Sequence, residues 1–184
     1  AINCGNSYKD LDQTTEAIDC YDTALKLNPT HPEANYNKSL VLLNAAQFES
    51  GWSLYEWRFK SSEAQQKFVK HAPVASLTTW DGLPLVGRLL VLPEQGIGDQ
   101  IFFSGMLNDL RGKVDKLTVC ADSRLIPLLS RSYPDIDFID DVNSADLSQC
   151  KAQIHFASLG QFLRPNVQAF SSVISPYLLA NVEQ

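Results

Sequence analysis

Apolar positions in the first sixty residues recur with a helical period. Cys4, Tyr8 and Leu11 are spaced by four and three, and Tyr36, Leu40, Leu43 and Phe48 by four, three and five, so each set lies along one face of a helix. A second pattern is repeated at a shift of 34 residues: Ala17 aligns with Gly51 and Tyr21 with Tyr55. Small residues at Ala17, Ala24 and Gly51 let neighbouring helices approach closely, and the tyrosines fill the groove between them. The turn Leu27-Asn28-Pro29-Thr30-His31-Pro32 separates the two units. Pro29 ends one helix, because the residue before a proline avoids the helical region, and Pro32 suits the first turn of the next, with Thr30 placed to cap it.

Beyond residue 60 the period changes. Residues 61–77 are polar and then mixed, with Pro73 among them, and read as a connector with a domain boundary near residue 75. Arg88 to Pro93 is an apolar run of strand length, and Gln100 to Leu110 carries Ile101, Phe102, Met106, Leu107 and Leu110 at helical spacing. The alternation repeats: a strand over 116–120, a helix over 123–132, a short strand over 137–139 and a fourth strand over 153–157. Such alternation implies right-handed crossovers and a mainly parallel sheet. The expected fold class is α + α/β, with helical hairpins over 1–60, a connector over 61–77 and a Rossmann-like unit over 78–184.

Composition narrows the function classes. The chain has 184 residues, 45% of them hydrophobic and 20% charged, as in ordinary globular proteins. A formal charge of −6 disfavours a surface that neutralises nucleic-acid phosphates. No apolar run approaches the roughly 20 residues needed to cross a bilayer, and the first residues lack the features of a signal peptide; a soluble, cytoplasmic chain without a membrane span is expected. Cys4, Cys20, Cys120 and Cys150 lie far apart without a C-x-x-C pair, so reduced thiols are expected rather than a metal site.

In parallel sheets ligands gather at the carboxyl ends of strands, and the first such loop is Glu94-Gln95-Gly96-Ile97-Gly98-Asp99. Gly96 and Gly98 are free to take positive φ and to let a ligand reach the amides at the start of the following helix. The dinucleotide pattern G-x-G-x-x-G is incomplete, with Ile101 where its third glycine belongs, and no cofactor is expected. Asp99 is positioned to cap the helix. His155, at a strand end, either faces the same cleft or is a hydrogen-bonded structural histidine. Arg88, Arg124, Arg131 and Arg164 have no spacing that marks a diphosphate clamp. Asp135, Asp137, Asp140, Asp141 and Asp146 lack the glycine and glutamate of a calcium loop and read as a solvated edge.

On Gly5, Tyr8, Ala17, Tyr21, Ala24 and Pro29 in the first unit, and Ala34, Tyr36, Asn37, Gly51 and Tyr55 in the second, residues 1–60 resemble tetratricopeptide repeats, about two units with the first truncated. Arg58 stands where that pattern has a small residue. Two units are fewer than such arrays usually need for stability, so the chain is read as part of a longer protein, or the repeats as leaning on the α/β segment behind them. The resemblance implies that first helices line a concave peptide-binding face, which makes Asn6, Asn35, Asn37 and Lys38 candidate peptide contacts, with plain solvated surface as the alternative. Trp52, Tyr55, Trp57 and Phe59 read as packing against the next domain, with a ligand platform as the alternative.

From Trp80-Asp81-Gly82 through Gly87-Arg88-Leu89-Leu90-Val91 to Glu94–Phe103, the second part resembles glycosyltransferase-like domains fused behind tetratricopeptide repeats. It is also similar to the N-terminal, acceptor-side half of heptosyltransferases, a GT-B architecture. That resemblance implies a general base at Asp99; from their place at the strand ends, Glu94, Gln95, Gly96, Gly98 and His155 are candidate substrate contacts, with Gln95 capping the strand end as its alternative. A second, donor-side lobe has no room after residue 158, so the chain is expected to be catalytically silent alone. Its partners are expected to be a protein or peptide at the repeats, and a nucleotide-sugar only with the missing lobe. The alternative is a non-enzymatic interaction module with a structural α/β cap.

Overall fold

The computed structural model describes residues 1–60, 74, 76–94, 96–171 and 176–181. These form two compact units, one within Ala1–Val69 and Arg164–Phe170, the other within Lys70–Leu163 and Ser171–Gln184. Most of the expected connector, 61–73 and 75, lies outside the described residues, as does Gln95.

The first unit holds α1 (Ile2–Asp10), α2 (Thr14–Leu27), α3 (Pro32–Asn44) and α4 (Phe48–Tyr55). Both hairpins close in the same way. After α1, Gln13 N–H donates to Tyr8 O and Asp12 N–H to Lys9 O; after α3, Gln47 N–H donates to Leu42 O and Ala46 N–H to Leu43 O. That pair of bonds is the Schellman C-cap, and its left-handed residue is Asp12 (φ 55°) in one hairpin and Ala46 (φ 57°) in the other. Helix approach is close because two glycines face side chains: a Cβ on Gly5 would stand 2.6 Å from the Tyr21 ring, and one on Gly51 2.7 Å from Leu43. Ala17, Tyr21 and Val41 form the core between them. The expected Thr30 cap is corrected. His31 caps α3, its Nδ1 accepting from Ala34 N–H at 3.4 Å, while Thr30 donates to Asn28 Oδ1.

After α4 the chain tightens into a 3-10 turn, Glu56–Phe59. Arg58, 6% exposed, pairs with Glu56 at 2.6 Å and lays its guanidinium over the Tyr55 and Phe59 rings, which satisfies a charge where a small residue was expected. Trp52 is buried, and its indole donates to Arg164 O at 2.8 Å. The Phe48 and Phe170 rings stack with centroids 4.8 Å apart. Segment Arg164–Phe170 is thus part of the helical unit.

The second unit is a five-stranded sheet in the order β1-β5-β2-β3-β4, built of β1 (Thr78–Thr79), β2 (Leu85–Leu92), β3 (Val114–Cys120), β4 (Asp137–Ile139) and β5 (Cys150–His155). Every pairing is parallel, so the fold is α + α/β. Leu89, Leu90, Val91 and Leu92 are all at most 1% exposed. Successive strand residues point to opposite faces, so both faces of β2 are covered, as parallel sheets require. Between strands lie α5 (Ile97–Ser104) and α6 (Ile126–Ser132), and α7 (Gly160–Leu163) follows β5. The apolar period over 100–110 predicts one helix, but α5 starts at Ile97 and stops at Ser104. A separate 3-10 turn, Leu107–Leu110, completes the segment. The last expected strand is shifted to Cys150–His155 because Phe156 and Ala157 already turn into a 3-10 segment.

Candidate functional site

The repeats place their candidates unequally. Asn6 on α1 and Asn37 on α3 meet: Asn6 Oδ1 accepts from Asn37 Nδ2 at 2.9 Å and from the Tyr21 hydroxyl at 2.7 Å. Burial, reinforced by Asp10 and Glu33, pushes the Tyr21 phenol up to about 12, so it stays a neutral donor at ordinary pH. Lys38, beside Asn37, is ion-paired to Asp22 at 2.5 Å. Asn35 sits elsewhere. It is 4% exposed, and its amide donates to Pro29 O and His31 O at 3.0 Å each, which holds the turn between units. Asn6, Asn37 and Lys38 are each half-buried. Tyr21 and Asp22, which set their geometry, come from second-helix positions that periodicity marks only as core and surface.

At the carboxyl ends of the strands, the loop residues are drawn into a polar lattice. The Gln100 side chain donates to Glu94 O at 3.0 Å and accepts from Asp122 N–H at 2.8 Å, joining the ends of β2 and β3. Across the other edge of β2, Glu94 Oε1 accepts from Ala157 N–H at 3.1 Å and His155 Nδ1 lies 3.1 Å from Pro93 O. Sheet order reverses at β2, whose neighbours are β3 and β5. This is the switch point where open α/β sheets place ligands, and here the Glu94 carboxylate, on a residue 8% exposed, bridges it.

An opening of about 440 Å³ lies over the ends of β2, β3 and β4, lined among others by Glu94, Gln100, Asp122, Asp140, Asp141 and Asn143. Its charge is negative. Arg124 is bound to Asp122 through two side-chain bonds of 2.8 Å, which hold the Asp122 carboxyl down to about 2. The Cys120 thiol beneath is pushed up to about 11, first by burial and then by Asp141 and Asp140. The other candidate arginines are engaged elsewhere: Arg88 with Asp137, Arg131 with Leu179 O, and Arg164 over the Phe170 ring. Among the described residues a diphosphate would meet the carboxylates of Glu94, Asp122, Asp140 and Asp141 here, with Arg124 already committed to Asp122, whereas sugar hydroxyls match such carboxylates. Among the described residues no group of three or more His, Cys, Asp or Glu side chains is placed to hold a metal.

Asp99 and the two glycines depart from expectation. Gly96 is the N-cap of α5, with φ −102°, and Asp99 lies inside the first turn, so Asp99 is not the capping residue. Neither glycine takes a positive φ. Gly96 serves by its size, since a Cβ there would stand 2.9 Å from Asp99 Oδ2. Gly98 faces open space, and Asp99 is exposed beside the acidic opening rather than in its lining. That opening was legible only in part: Glu94 was marked by the loop after β2, but Asp122, Asp140 and Asp141 follow two other strands, and their position just after β3 and β4 was the signal the sequence carried for them.

No helix among the described residues is long and apolar enough to cross a membrane. The chain is similar to Protein FlbA of Caulobacter vibrioides, with 29% identity over 138 residues, covering 70% of this chain and 22% of that protein. It therefore spans about a fifth of that relative's length. Residues 5–44 match the family model of the TPR repeat, a helical repeat whose general use is protein interaction.

Proposed function

We propose that the helical unit binds an extended segment of a partner protein across Asn6, Asn37 and Lys38. One observation carries this reading. After their mutual bond, the Asn6 amide nitrogen and the Asn37 carbonyl remain unpaired among the described residues, on the first helices of successive repeats. Two fixed side-chain amides offer the donor and acceptor that a peptide backbone needs. Lys38, released from Asp22, adds a cation for an acidic side chain. Titrating an array of extended peptides against the full chain tests the proposal. The expected result is at least one binder whose affinity falls about tenfold or more in Asn37→Ala, in line with 1–3 kcal/mol for a polar contact left unmade, and is unchanged in Asp99→Ala. Equal binding by wild type and Asn37→Ala overturns it.

A second reading concerns the complete protein. In it, the α/β unit is the acceptor-side lobe of a sugar transferase, with Asp99 as general base and Glu94, Gln95, Gly96, Gly98 and His155 around the acceptor. Support comes from the carboxylate-lined opening at the strand ends, which suits hydroxyls and repels phosphate, so that a nucleotide-sugar would be held by another lobe. Assaying the complete protein with nucleotide-sugars is the test: Asp99→Asn lowers turnover by about 10²–10⁴ if Asp99 takes the acceptor proton, and full activity in that variant excludes the role.

A further inference from the structure

Cys4 on α1 and Cys20 on α2 are sixteen residues apart in sequence, yet their sulfur atoms are 3.0 Å apart, with the Cys20 thiol donating to Cys4 Sγ. The neighbouring residues account for this. Gly5 follows Cys4, and Tyr21 follows Cys20; the missing Cβ of Gly5 lets the Tyr21 ring fill the space where it would stand. The helices therefore approach closely beside the two thiols. Cys4 is exposed and Cys20 half-buried, whereas Cys120 and Cys150 are buried. An S–S bond of about 2.05 Å requires the sulfurs to close by about 1 Å, which side-chain rotation on two packed helices can supply.

We infer that Cys4 and Cys20 are a reversible disulfide site that locks α1 to α2 when the chain meets a small-molecule disulfide. The Cys4 thiolate attacks one sulfur of that reagent, forming a mixed disulfide and releasing one small thiol. Cys20 Sγ then attacks Cys4 Sγ, the Cys4–reagent bond breaks, and a second small thiol leaves. Two protein thiols are oxidised, one reagent disulfide is reduced, and the two protons end on the released thiols. Cys4, the more exposed of the two, is the first nucleophile; the hydrogen bond to Cys4, followed by burial, raises Cys20, which makes it the resolving thiol. In the locked state the Asn6–Tyr21 bond, which starts two residues past Cys4 and one past Cys20, is held between two tied helices.

The full chain equilibrated with a glutathione redox buffer tests this, with free thiols counted and peptides mapped by mass. The expected product retains two free thiols and contains the Cys4 peptide joined to the Cys20 peptide. Its formation constant against glutathione exceeds that of the same chain in denaturant by about tenfold or more, the advantage of two groups already held together. In Cys20→Ser the reaction stops at the Cys4–glutathione mixed disulfide. Separate glutathione adducts on both cysteines in wild type, a Cys4 link between two copies, or equal constants in native and denatured chain would each overturn the proposal. Because the native-to-denatured comparison uses wild type, it holds even if a variant folds poorly.

Discussion

The Tyr21 side chain is fully buried, and its hydroxyl donates to Asn6 Oδ1 at 2.7 Å. Removing the hydroxyl in Tyr21→Phe leaves the ring packed on Gly5 and is expected to lower stability by about 1 kcal/mol, the net worth of one hydrogen bond, read as a lower urea midpoint with unchanged slope. Alkali tests the same residue. Tyr21 and Tyr133 are both raised from 10.0 to about 12, chiefly by burial, so between these values the unfolded chain binds fewer protons than the folded one and stability falls with rising pH. The expected denaturation midpoint drops as pH rises from 10 towards 12, and drops less in Tyr21→Phe. At this scale the sequence placed its candidates on elements but not beside their partners. Asn6, Asn37 and Lys38 were marked by lying on first helices, while Asn35, one turn from the same helix end, is consumed by two carbonyls that no pattern of spacing reveals.

Between residues and domains, the repeat is built from joints as much as from helices. Both hairpins use the same Schellman turn, but Ala46 carries a Cβ at φ 57°, a conformation that costs an L side chain roughly 1 kcal/mol. Ala46→Gly is expected to raise stability by about 0.5–1 kcal/mol, measurable as a higher thermal midpoint. The opposite change at Gly51 should be costly: a new Cβ would stand 2.7 Å from Leu43 Cδ2 and 3.1 Å from its backbone nitrogen, so Gly51→Ala is expected to destabilise by about 1–3 kcal/mol through overpacking. Periodicity revealed these helices and four of the strands because each buries a regular face. It missed β1, whose two threonines are too short to alternate, and it ran α5 into the following 3-10 turn because apolar spacing continues across Gly105. Gln100 was read simply as the start of a helix; its role depends on Asp122, which the fold alone brings near. Gln100→Ala leaves Asp122 N–H and Glu94 O without this partner and is expected to cost about 1–3 kcal/mol, with faster amide exchange at Asp122 as the local readout.

On the scale of the chain, the helical unit offers side-chain amides suited to a peptide, and the α/β unit an acidic opening suited to hydroxyl groups. These are separable surfaces, and the Asn37→Ala and Asp99→Asn variants report on them independently. The identity of α + α/β could be read from the change of period near residue 75, because a helical array and a parallel sheet bury different repeats of apolar residues. The return of Arg164–Phe170 to the helical unit could not, since nothing local links Arg164 to Trp52 or Phe170 to Phe48 until both ends are folded. That return bears on how the protein is made. Chains leave the ribosome at about 5–20 residues per second, so α1 to α4 emerge well before the segment that accepts the Trp52 indole hydrogen and stacks on Phe48. During synthesis α1 to α4 must therefore wait, with an apolar flank uncovered, until all five strands have emerged, an interval in which that flank is open to aggregation or to capture by a chaperone.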